Sequence, residues 1–166
     1  YDLININDYQ AIPRYHGEKN DRSVAASIMT TRGCPGMCTF CAAHSVHGRK
    51  LRCHSTERVL DDIRRLKNEH GANIILIEDD NFMVNKANSI SVLKEIAKEN
   101  IKVDFPNGLS VLHLDKERID AMKEAGVGIA SLAVESGSTR VLKEVMHKPY
   151  RDLSKVKDLV ALLRDR

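Results

Sequence analysis

Residues 24–41, VAASIMTTRGCPGMCTFC, join an uncharged apolar run to a loop that contains three of the four cysteines of the chain. The run VAASIMT predicts a buried strand, because it is short, apolar and free of charge. The cysteines follow it at the spacing Cys-x3-Cys-x2-Cys, as Cys34, Cys38 and Cys41. Thiolates are soft ligands that suit zinc or an iron–sulfur cluster. The stretch therefore predicts a metal-binding loop at the end of a strand.

The composition is typical of a soluble globular protein with one domain. The 166 residues are 42% hydrophobic and 30% charged, which allows a real core and argues against disorder. No apolar run approaches the roughly 20 residues that span a bilayer, and the given sequence shows no signal-peptide pattern. Clustered cysteines in a chain of this length favour metal ligation in a reducing compartment over a disulfide scaffold, so we predict a cytoplasmic location.

The formal net charge of +3 is small, and basic residues dominate no long stretch. The nearest to a basic run is GRKLR, residues 48–52. This run fits either a solvated loop or a patch for nucleic acid or another anionic substrate.

Predicted strands and helices alternate along the chain. The strands are VAASIMT, NIILIE, IKVDF and VGIASLAV, and each is followed by a segment with helical periodicity. Candidate N-caps precede the helical segments: Ser55, Asp115, and Ser138 or Thr139. A last helical pattern runs from about Leu153 to the end. Such alternation predicts an α/β protein with a parallel sheet covered by helices, either an open doubly wound sheet or part of a (β/α) barrel.

Polar residues follow each predicted strand. The cysteine loop follows the first, and EDDN, PNG and ESGS follow the second, third and fourth, at residues 78–81, 106–108 and 135–138. Because the carboxyl ends of parallel strands lie at one edge of a sheet, these loops predict one shared site.

The residues alone leave three interpretations of the cysteine loop open. Three thiolates on a [4Fe–4S] cluster leave one iron free for a substrate or cofactor, and Gly33, Pro35 and Gly36 supply the tight backbone for such a loop. A fourth protein ligand would instead close a structural zinc site. A redox disulfide is the third interpretation. The candidate fourth ligands for zinc are His44, His47, Cys53 and His54.

RGCPGMCTFC, residues 32–41, resembles the cluster-binding loop of the radical S-adenosylmethionine (SAM) superfamily, in which an aromatic residue precedes the last cysteine, as Phe40 does here. STERVLDDIRRL, IEDDNF and VESGSTRVLKEVMHK extend the likeness to the radical SAM domains that often follow a cobalamin-binding domain. Methylthiotransferases share a related pattern. The resemblance covers nearly all of residues 24–150, and it implies a partial (β/α) barrel of about four βα units.

The resemblance also implies the cofactors and their ligands. Cys34, Cys38 and Cys41 would be the catalytic residues that hold the [4Fe–4S] cluster, whose open iron binds SAM. The residues that match SAM-contacting positions, or follow the same strands, are Phe40, Glu78, Asp79, Asp80, Asn107, Ser110, Glu135 and Ser136. Each has a simpler alternative: core packing for Phe40, a solvated or capping role for the acidic residues and Ser136, and a turn for the others. Lys148 matches a basic residue of the subgroup without a known duty.

The activity that the resemblance implies is reductive cleavage of SAM. An external donor of the flavodoxin or ferredoxin type supplies an electron to the cluster, and SAM is cleaved to methionine and a 5′-deoxyadenosyl radical. The radical then acts on an unknown substrate, with a cobalamin-dependent methyl transfer among the reactions that fit. The alternative from another class is a non-catalytic zinc- or iron–sulfur-binding α/β module.

The sequence divides at residue 22. Residues 1–22 show no sustained period and predict a lead-in or linker segment, and residues 23–166 form the predicted core domain. The superfamily's barrel has more βα units than are predicted here, so we expect truncation on the C-terminal side. A cobalamin-binding domain would lie upstream. Open sheet edges favour self-association, and we expect the chain alone to bind SAM weakly.

Overall fold

The computed structural model describes residues 24–148 and 152–164. The predicted lead-in segment 1–22 lies outside the described residues. The chain forms an α/β structure in which helices and strands alternate, as the sequence predicts. The elements in chain order are β1 (Ala25–Ile28), β2 (Thr31–Arg32), α1 (Ala43–Val46), β3 (Arg52–Cys53), α2 (Thr56–His70), β4 (Ile74–Ile77), α3 (Lys86–Ala97), β5 (Lys102–Asp104), a 3-10 turn (Val111–His113), α4 (Lys116–Glu124), a π-helical turn (Val141–Val145) and α5 (Ser154–Arg164).

The described residues contain a parallel sheet of three strands in the order β1–β4–β5. Ala25 pairs with Ile74, and Ile74 pairs in turn with Lys102, so the three strands start in line. Helices α2 and α3 supply the crossovers, as parallel connections require. The carboxyl ends of all three strands therefore lie at the same edge, where the cysteine loop begins.

Two of the predicted N-caps are present in the structure. Ser55 accepts a hydrogen bond from the Arg58 amide at the start of α2, and Gly71 ends that helix with a left-handed φ of 70°. Asp115 caps α4 by accepting from the Arg118 amide. These caps fix the residue at which each helix begins. Helix α2 then packs its apolar side, which contains Val59, Leu60, Ile63 and Leu66, into the core.

The prediction of a fourth strand and a fourth α-helix is wrong in detail. Residues 127–134 make only two isolated parallel bridges, Val103 to Val127 and Leu109 to Leu132, instead of a continuous ladder. The segment between them is poorly covered, with Ile129 47% exposed, so it lacks the burial on both faces that a parallel strand needs. The predicted helix after it is a π-helical turn over Val141–Val145, although Ser138 accepts from the Val141 amide, as predicted.

The core lies between the sheet and helices α2, α3 and α4. Its fully buried side chains belong to the predicted apolar stripes and strands, and include Ile63, Leu66, Ile75, Ile77, Leu93 and Ile96. Burial of such side chains stabilises the fold by about 1.5–3 kcal/mol each. Among the described residues, no helix combines the length and the apolar character that a bilayer crossing requires.

Leu66→Ala tests this core. Leu66 is fully buried, so truncation opens a cavity and we expect the free energy of unfolding to fall by about 2–5 kcal/mol. Leu112→Ala is the matched control, because Leu112 is 44% exposed, and its change should stay within about 0.5 kcal/mol. Urea denaturation of both variants measures the difference. Equal losses in the two variants would contradict the placement of the core.

Candidate functional site

The cysteine loop is closed at its base by backbone contacts. The Cys34 amide donates to the Gly48 carbonyl at 3.2 Å, and Arg49 Nη1 donates to the Gly36 carbonyl at 2.5 Å. Gly33 has a left-handed φ of 93°, and a Cβ at this position would lie 2.4 Å from the Lys50 carbonyl oxygen. A glycine is therefore required at the point where the chain leaves β2 and enters the loop.

Two of the three cysteine thiols, those of Cys34 and Cys38, lie beside the backbone of Gly36. A Cβ on Gly36 would lie 3.3 Å from Cys34 Sγ and 3.8 Å from Cys38 Sγ. Burial raises the pKa of the Cys38 thiol, Lys148 opposes this shift, and the nearby Cys34 and Cys41 thiols raise it further. Three thiols within electrostatic reach of one another repel as thiolates, and a cationic metal centre relieves that repulsion. The loop therefore fits an iron–sulfur cluster in the chemistry of its donors, three thiols on one short loop.

The candidate fourth ligands of a zinc site have other surroundings. His47 Nδ1 lies 2.9 Å from Asp80 Oδ2, and Cys53 is exposed beside Asn85 Nδ2 at 3.9 Å. His44 and His54 are also exposed. Within residues 24–148 and 152–164, no three or more His, Cys, Asp or Glu side chains are arranged to hold a single metal ion. The zinc interpretation of the loop has no support.

The carboxylate of Asp79 is buried and holds β1, β2 and β4 together. Asp79 Oδ1 accepts from the Thr30 amide at 2.6 Å, and Oδ2 accepts from the Thr30 and Thr31 hydroxyls at 2.5 and 2.8 Å. Asp79 is only 3% exposed. Its geometry is that of a structural carboxylate, and a contact with SAM stays a prediction.

The neighbouring acids have different partners. Asp80 Oδ2 accepts from the Gly33 amide at 3.3 Å and faces His47, so it supports the base of the cysteine loop. Glu78 Oε1 accepts from the Ser27 hydroxyl at 3.4 Å, and the Glu78 side chain is half-buried. Of the three adjacent acids, Glu78 has the longest hydrogen bond and is the most available to a ligand.

The loop after β5 is joined to the loop after β4. Asn107 Nδ2 donates to the Glu78 carbonyl at 3.0 Å and to the Asp79 carbonyl at 3.4 Å. Gly108 has a φ of 75°, and a Cβ there would lie 3.3 Å from the Ser131 carbonyl oxygen. The Ser110 hydroxyl makes no capping hydrogen bond to its turn. The predicted turn is present, and Asn107 connects two strand ends in addition.

Glu135 directly follows residues 127–134, the segment with the two isolated parallel bridges, and it pairs with Lys148. Lys148 Nζ lies 2.7 Å from Glu135 Oε1 and donates to the Ala133 carbonyl at 3.2 Å. The same ammonium lies over the Phe40 ring, 5.8 Å from its centroid. Glu135 has a φ of 73°, which a non-glycine residue adopts only at an energetic cost. Ser136 accepts from the Ser138 amide two residues later, while Ser138 caps the turn that follows.

The cysteine loop also contacts the end of the π-helical turn. The Thr39 hydroxyl donates to the Val145 carbonyl at 2.8 Å, and the Thr39 amide donates to the Met146 carbonyl at 3.2 Å. Phe40 is 54% exposed, so it does not pack in the core of the described residues. These hydrogen bonds hold Thr39 against Val145 and Met146, close to Lys148.

These contacts link the strand ends into one rim. The rim begins at the cysteine loop and continues through the acids after β4 and Asn107 to Glu135 and Lys148. Lys148 lies over Phe40 of the cysteine loop and so closes the rim. Sequence reasoning predicted the shared edge, but it missed the residues that hold the rim together without ligand chemistry of their own: Thr30, Thr31, Thr39 and Asn81, whose amide lies 3.9 Å from Cys34 Sγ. Thr and Asn carry no pattern that marks a partner 47 to 106 positions away.

The sequence profile of the radical SAM superfamily matches residues 28–166. The match covers most of the chain, and the chain belongs to this superfamily. The resemblance drawn from the cysteine loop is confirmed.

Curated relatives are longer enzymes. The cytidylyl-2-hydroxyethylphosphonate methyltransferase of Streptomyces wedmorensis is 31% identical over 160 residues, which are 96% of this chain and 30% of that protein. The hopanoid C-3 methylase of Methylococcus capsulatus is 36% identical over 113 residues, 67% of this chain and 21% of that protein. The chain thus spans less than a third of the length of these relatives.

Solved structures share the fold. The radical SAM methyltransferase TsrM from Kitasatospora setae, with cobalamin and a [4Fe–4S] cluster bound, superposes with a TM-score of 0.76 at 20% identity. The superposition covers 87% of this chain and 27% of TsrM. At this level of identity the likeness concerns the fold alone.

Gly33→Ala tests the geometry of the cysteine loop. The added Cβ would meet the Lys50 carbonyl, so we expect the iron bound after anaerobic reconstitution to fall at least about fivefold, because a distorted loop binds a metal centre less tightly. Gly48→Ala is the matched control, since Gly48 also has a positive φ of 78° but has nothing within 4 Å of its Cβ position. An iron assay measures both variants. Equal iron content in Gly33→Ala and the wild type would contradict the requirement for glycine at the start of the cysteine loop.

Proposed function

We propose that the chain is the catalytic core of a radical SAM enzyme. The observation that carries the proposal is the set of three cysteine thiols, held on one loop at the carboxyl edge of a parallel sheet. A [4Fe–4S] cluster bound there supplies the electron that reductively cleaves SAM to methionine and a 5′-deoxyadenosyl radical. Cys34, Cys38 and Cys41 hold that cluster as thiolates.

The loop prepares the thiols before any metal binds. Gly33 and Asp80 fix its start, and Thr39 fixes its middle against the π-helical turn. Because the Cys38 thiol has a raised pKa, the metal-free loop keeps that proton at neutral pH and releases it when iron binds. Cluster assembly should accordingly become more favourable as the pH rises.

The rim supplies polar groups suited to SAM. The sulfonium and ammonium of SAM are cations, and carboxylates stabilise them through charge-assisted contacts. We propose that Glu78, Asp80 and Glu135 are the anionic groups nearest to the sulfonium and ammonium of bound SAM. Asp79 contributes by fixing the backbone between Glu78 and Asp80. Phe40, Asn107, Ser110 and Ser136 complete the predicted surface.

Lys148 joins two parts of this surface. Its ammonium pairs with Glu135 and lies over Phe40 next to the last cysteine. A ligand with an anionic group, such as the carboxylate of an amino acid, would compete with Glu135 for the Lys148 ammonium. We infer that Lys148 orients Glu135 in the absence of ligand.

The wider protein is proposed to be a methyl- or methylthiotransferase with a cobalamin-binding domain upstream. Two curated relatives are methyltransferases by name, and cobalamin is bound in the solved TsrM structure. The described parallel segments then form about four βα units of a partial barrel over residues 23–166, preceded by the lead-in segment 1–22. The substrate stays open, and the electron donor is of the flavodoxin or ferredoxin type in the cytoplasm.

Substitution of the cysteines tests the cluster. We expect Cys38→Ala to reduce bound iron from about four per chain to less than one after anaerobic reconstitution, because a [4Fe–4S] centre needs its thiolate ligands. Cys53→Ala is the matched control and should keep the wild-type iron content. EPR spectroscopy of the reduced protein with and without SAM then measures whether SAM reaches the cluster.

Several results would contradict the cluster proposal. These are a wild-type protein with stoichiometric zinc and a fourth protein ligand, iron retained in Cys38→Ala, and a reduced spectrum that SAM leaves unchanged. Detection of 5′-deoxyadenosine after chemical reduction provides the activity readout.

Glu135→Gln tests the proposed SAM surface. Removal of the charge should weaken SAM binding about tenfold, which corresponds to about 1.4 kcal/mol, since a neutral amide attracts the SAM cations less. Glu144→Gln is the control, because Glu144 is exposed and pairs loosely with Arg140 at 3.8 Å. Titration of the EPR signal with SAM gives both affinities. Equal affinities in the two variants would remove Glu135 from the site.

A further inference from the structure

The sequence around the cysteine loop contains no acidic residue. From Val24 to Thr56 there is no aspartate or glutamate, although the whole chain has 23. The same stretch contains Arg32, Arg49, Lys50 and Arg52. In the part of the chain that the structure describes, none of these four forms an ion pair with a carboxylate. Positive charge without compensation therefore borders the loop.

The β2–β3 ribbon concentrates this charge. Arg32 and Arg52 are directly opposite in the antiparallel pair, so their side chains share one face of the ribbon. Like charges at opposite positions destabilise such a pair. Both residues are exposed, and so is Lys50. An anionic partner on this face would relieve the repulsion.

Two arginine side chains of the segment 49–52 donate to backbone carbonyls, one in the cysteine loop and one at the end of α1. Arg49 contacts the Gly36 carbonyl, and Arg52 Nη2 donates to the His47 carbonyl at 2.9 Å. The residues next to these carbonyls are apolar and exposed: Met37 at 58% and Val46 at 74%. We call this surface the cationic face, and it consists of Arg32, Met37, Val46, Arg49, Lys50 and Arg52.

Exposed apolar side chains next to exposed cations are a combination that protein–protein interfaces use. A small phosphate-bearing substrate would need converging, partly buried donors, whereas Arg32 and Lys50 are exposed, and Arg49 and Arg52 each donate to a carbonyl. Weak redox encounters use small interfaces, and charge complementarity speeds their association. The charge of the face selects an acidic partner.

We propose that the cationic face is the docking surface for an acidic electron-donor protein of the ferredoxin class. The inference rests on the proposed function, since it assigns the donor a place beside the loop that would hold the cluster. One electron leaves the reduced donor, which is oxidised, and the cluster is reduced by the same electron. No bond forms or breaks, and no proton moves.

Charge reversal on the face tests the proposal. In the full-length protein with its cluster reconstituted, Arg32→Glu/Lys50→Glu should lower the second-order rate of reduction by an acidic [2Fe–2S] ferredoxin about tenfold or more at low salt. The hydrogen bonds that hold the loop involve Arg49, Asp80 and Thr39 and neither of the substituted side chains, so the loop keeps these bonds. The loss should shrink at high salt, because screening removes long-range attraction. Stopped-flow absorbance measures the rates.

The control variant Lys94→Glu/Lys123→Glu makes the same change in net charge on α3 and α4, where both lysines are exposed. Its rate should stay within about twofold of the wild type. Binding of oxidised ferredoxin to the metal-free protein, measured by calorimetry, gives a readout that does not need the cluster. The single variant Lys50→Glu repeats the test if the double variant does not fold.

The outcomes separate the two proposals. Unchanged ferredoxin rates and affinities in the charge-reversed variants would overturn the docking surface. The docking surface would also be overturned if the charge-reversed variants lost binding of pyrophosphate while ferredoxin still reduced them at the wild-type rate. That result would assign the face to a phosphate-bearing substrate. A neutral deazaflavin photoreductant bypasses docking, so a wild-type protein that cleaves no SAM with deazaflavin would overturn the proposed function itself, and the docking inference with it.

Discussion

The two oxygens of the buried Asp79 carboxylate accept hydrogen bonds from Thr30 and Thr31, which lie 49 and 48 positions earlier in the chain. A buried carboxylate without partners would be costly, and hydrogen bonds to a charged group contribute about 1.5–3 kcal/mol each. Asp79 therefore fixes where β1 ends relative to β4. The cysteine loop begins three residues after Thr30, so its position follows from this carboxylate. The position of the three cysteines thus depends on a residue outside their loop.

The three adjacent acids after β4 divide their roles because each has a different partner. Asp79 faces the threonines, Asp80 faces Gly33 and His47, and Glu78 faces Ser27. Three carboxylates with a common partner would repel one another and raise their proton affinity. The three carboxylates are spread over the rim and make it negative. The arginines of the cationic face make that surface positive. The loop thus separates a surface suited to a cationic cofactor from a surface suited to an acidic protein.

The sequence predicted the parallel sheet, the caps at Ser55 and Asp115, and the edge where the polar loops meet, because these features follow from local periodicity and from the geometry of parallel strands. It did not predict the broken ladder over residues 127–134. That segment has the apolar character of a strand, and only its coverage by other elements decides whether a ladder forms. The contacts of Thr39 and His47 were also out of reach, since each depends on a partner that the fold brings near.

The φ of 73° at Glu135 points to the site without reference to the cysteine motif. Glutamate in the left-handed region costs about 1–3 kcal/mol and persists only where the surroundings enforce it. Here Lys148 enforces it, by pairing with the Glu135 carboxylate and donating to the Ala133 carbonyl two residues earlier. Gly137, two residues later, would adopt such a conformation at no steric cost, yet the positive φ lies at the acid. A backbone strained at a charged residue, and held by a lysine over Phe40, is expected where a ligand competes for that charge.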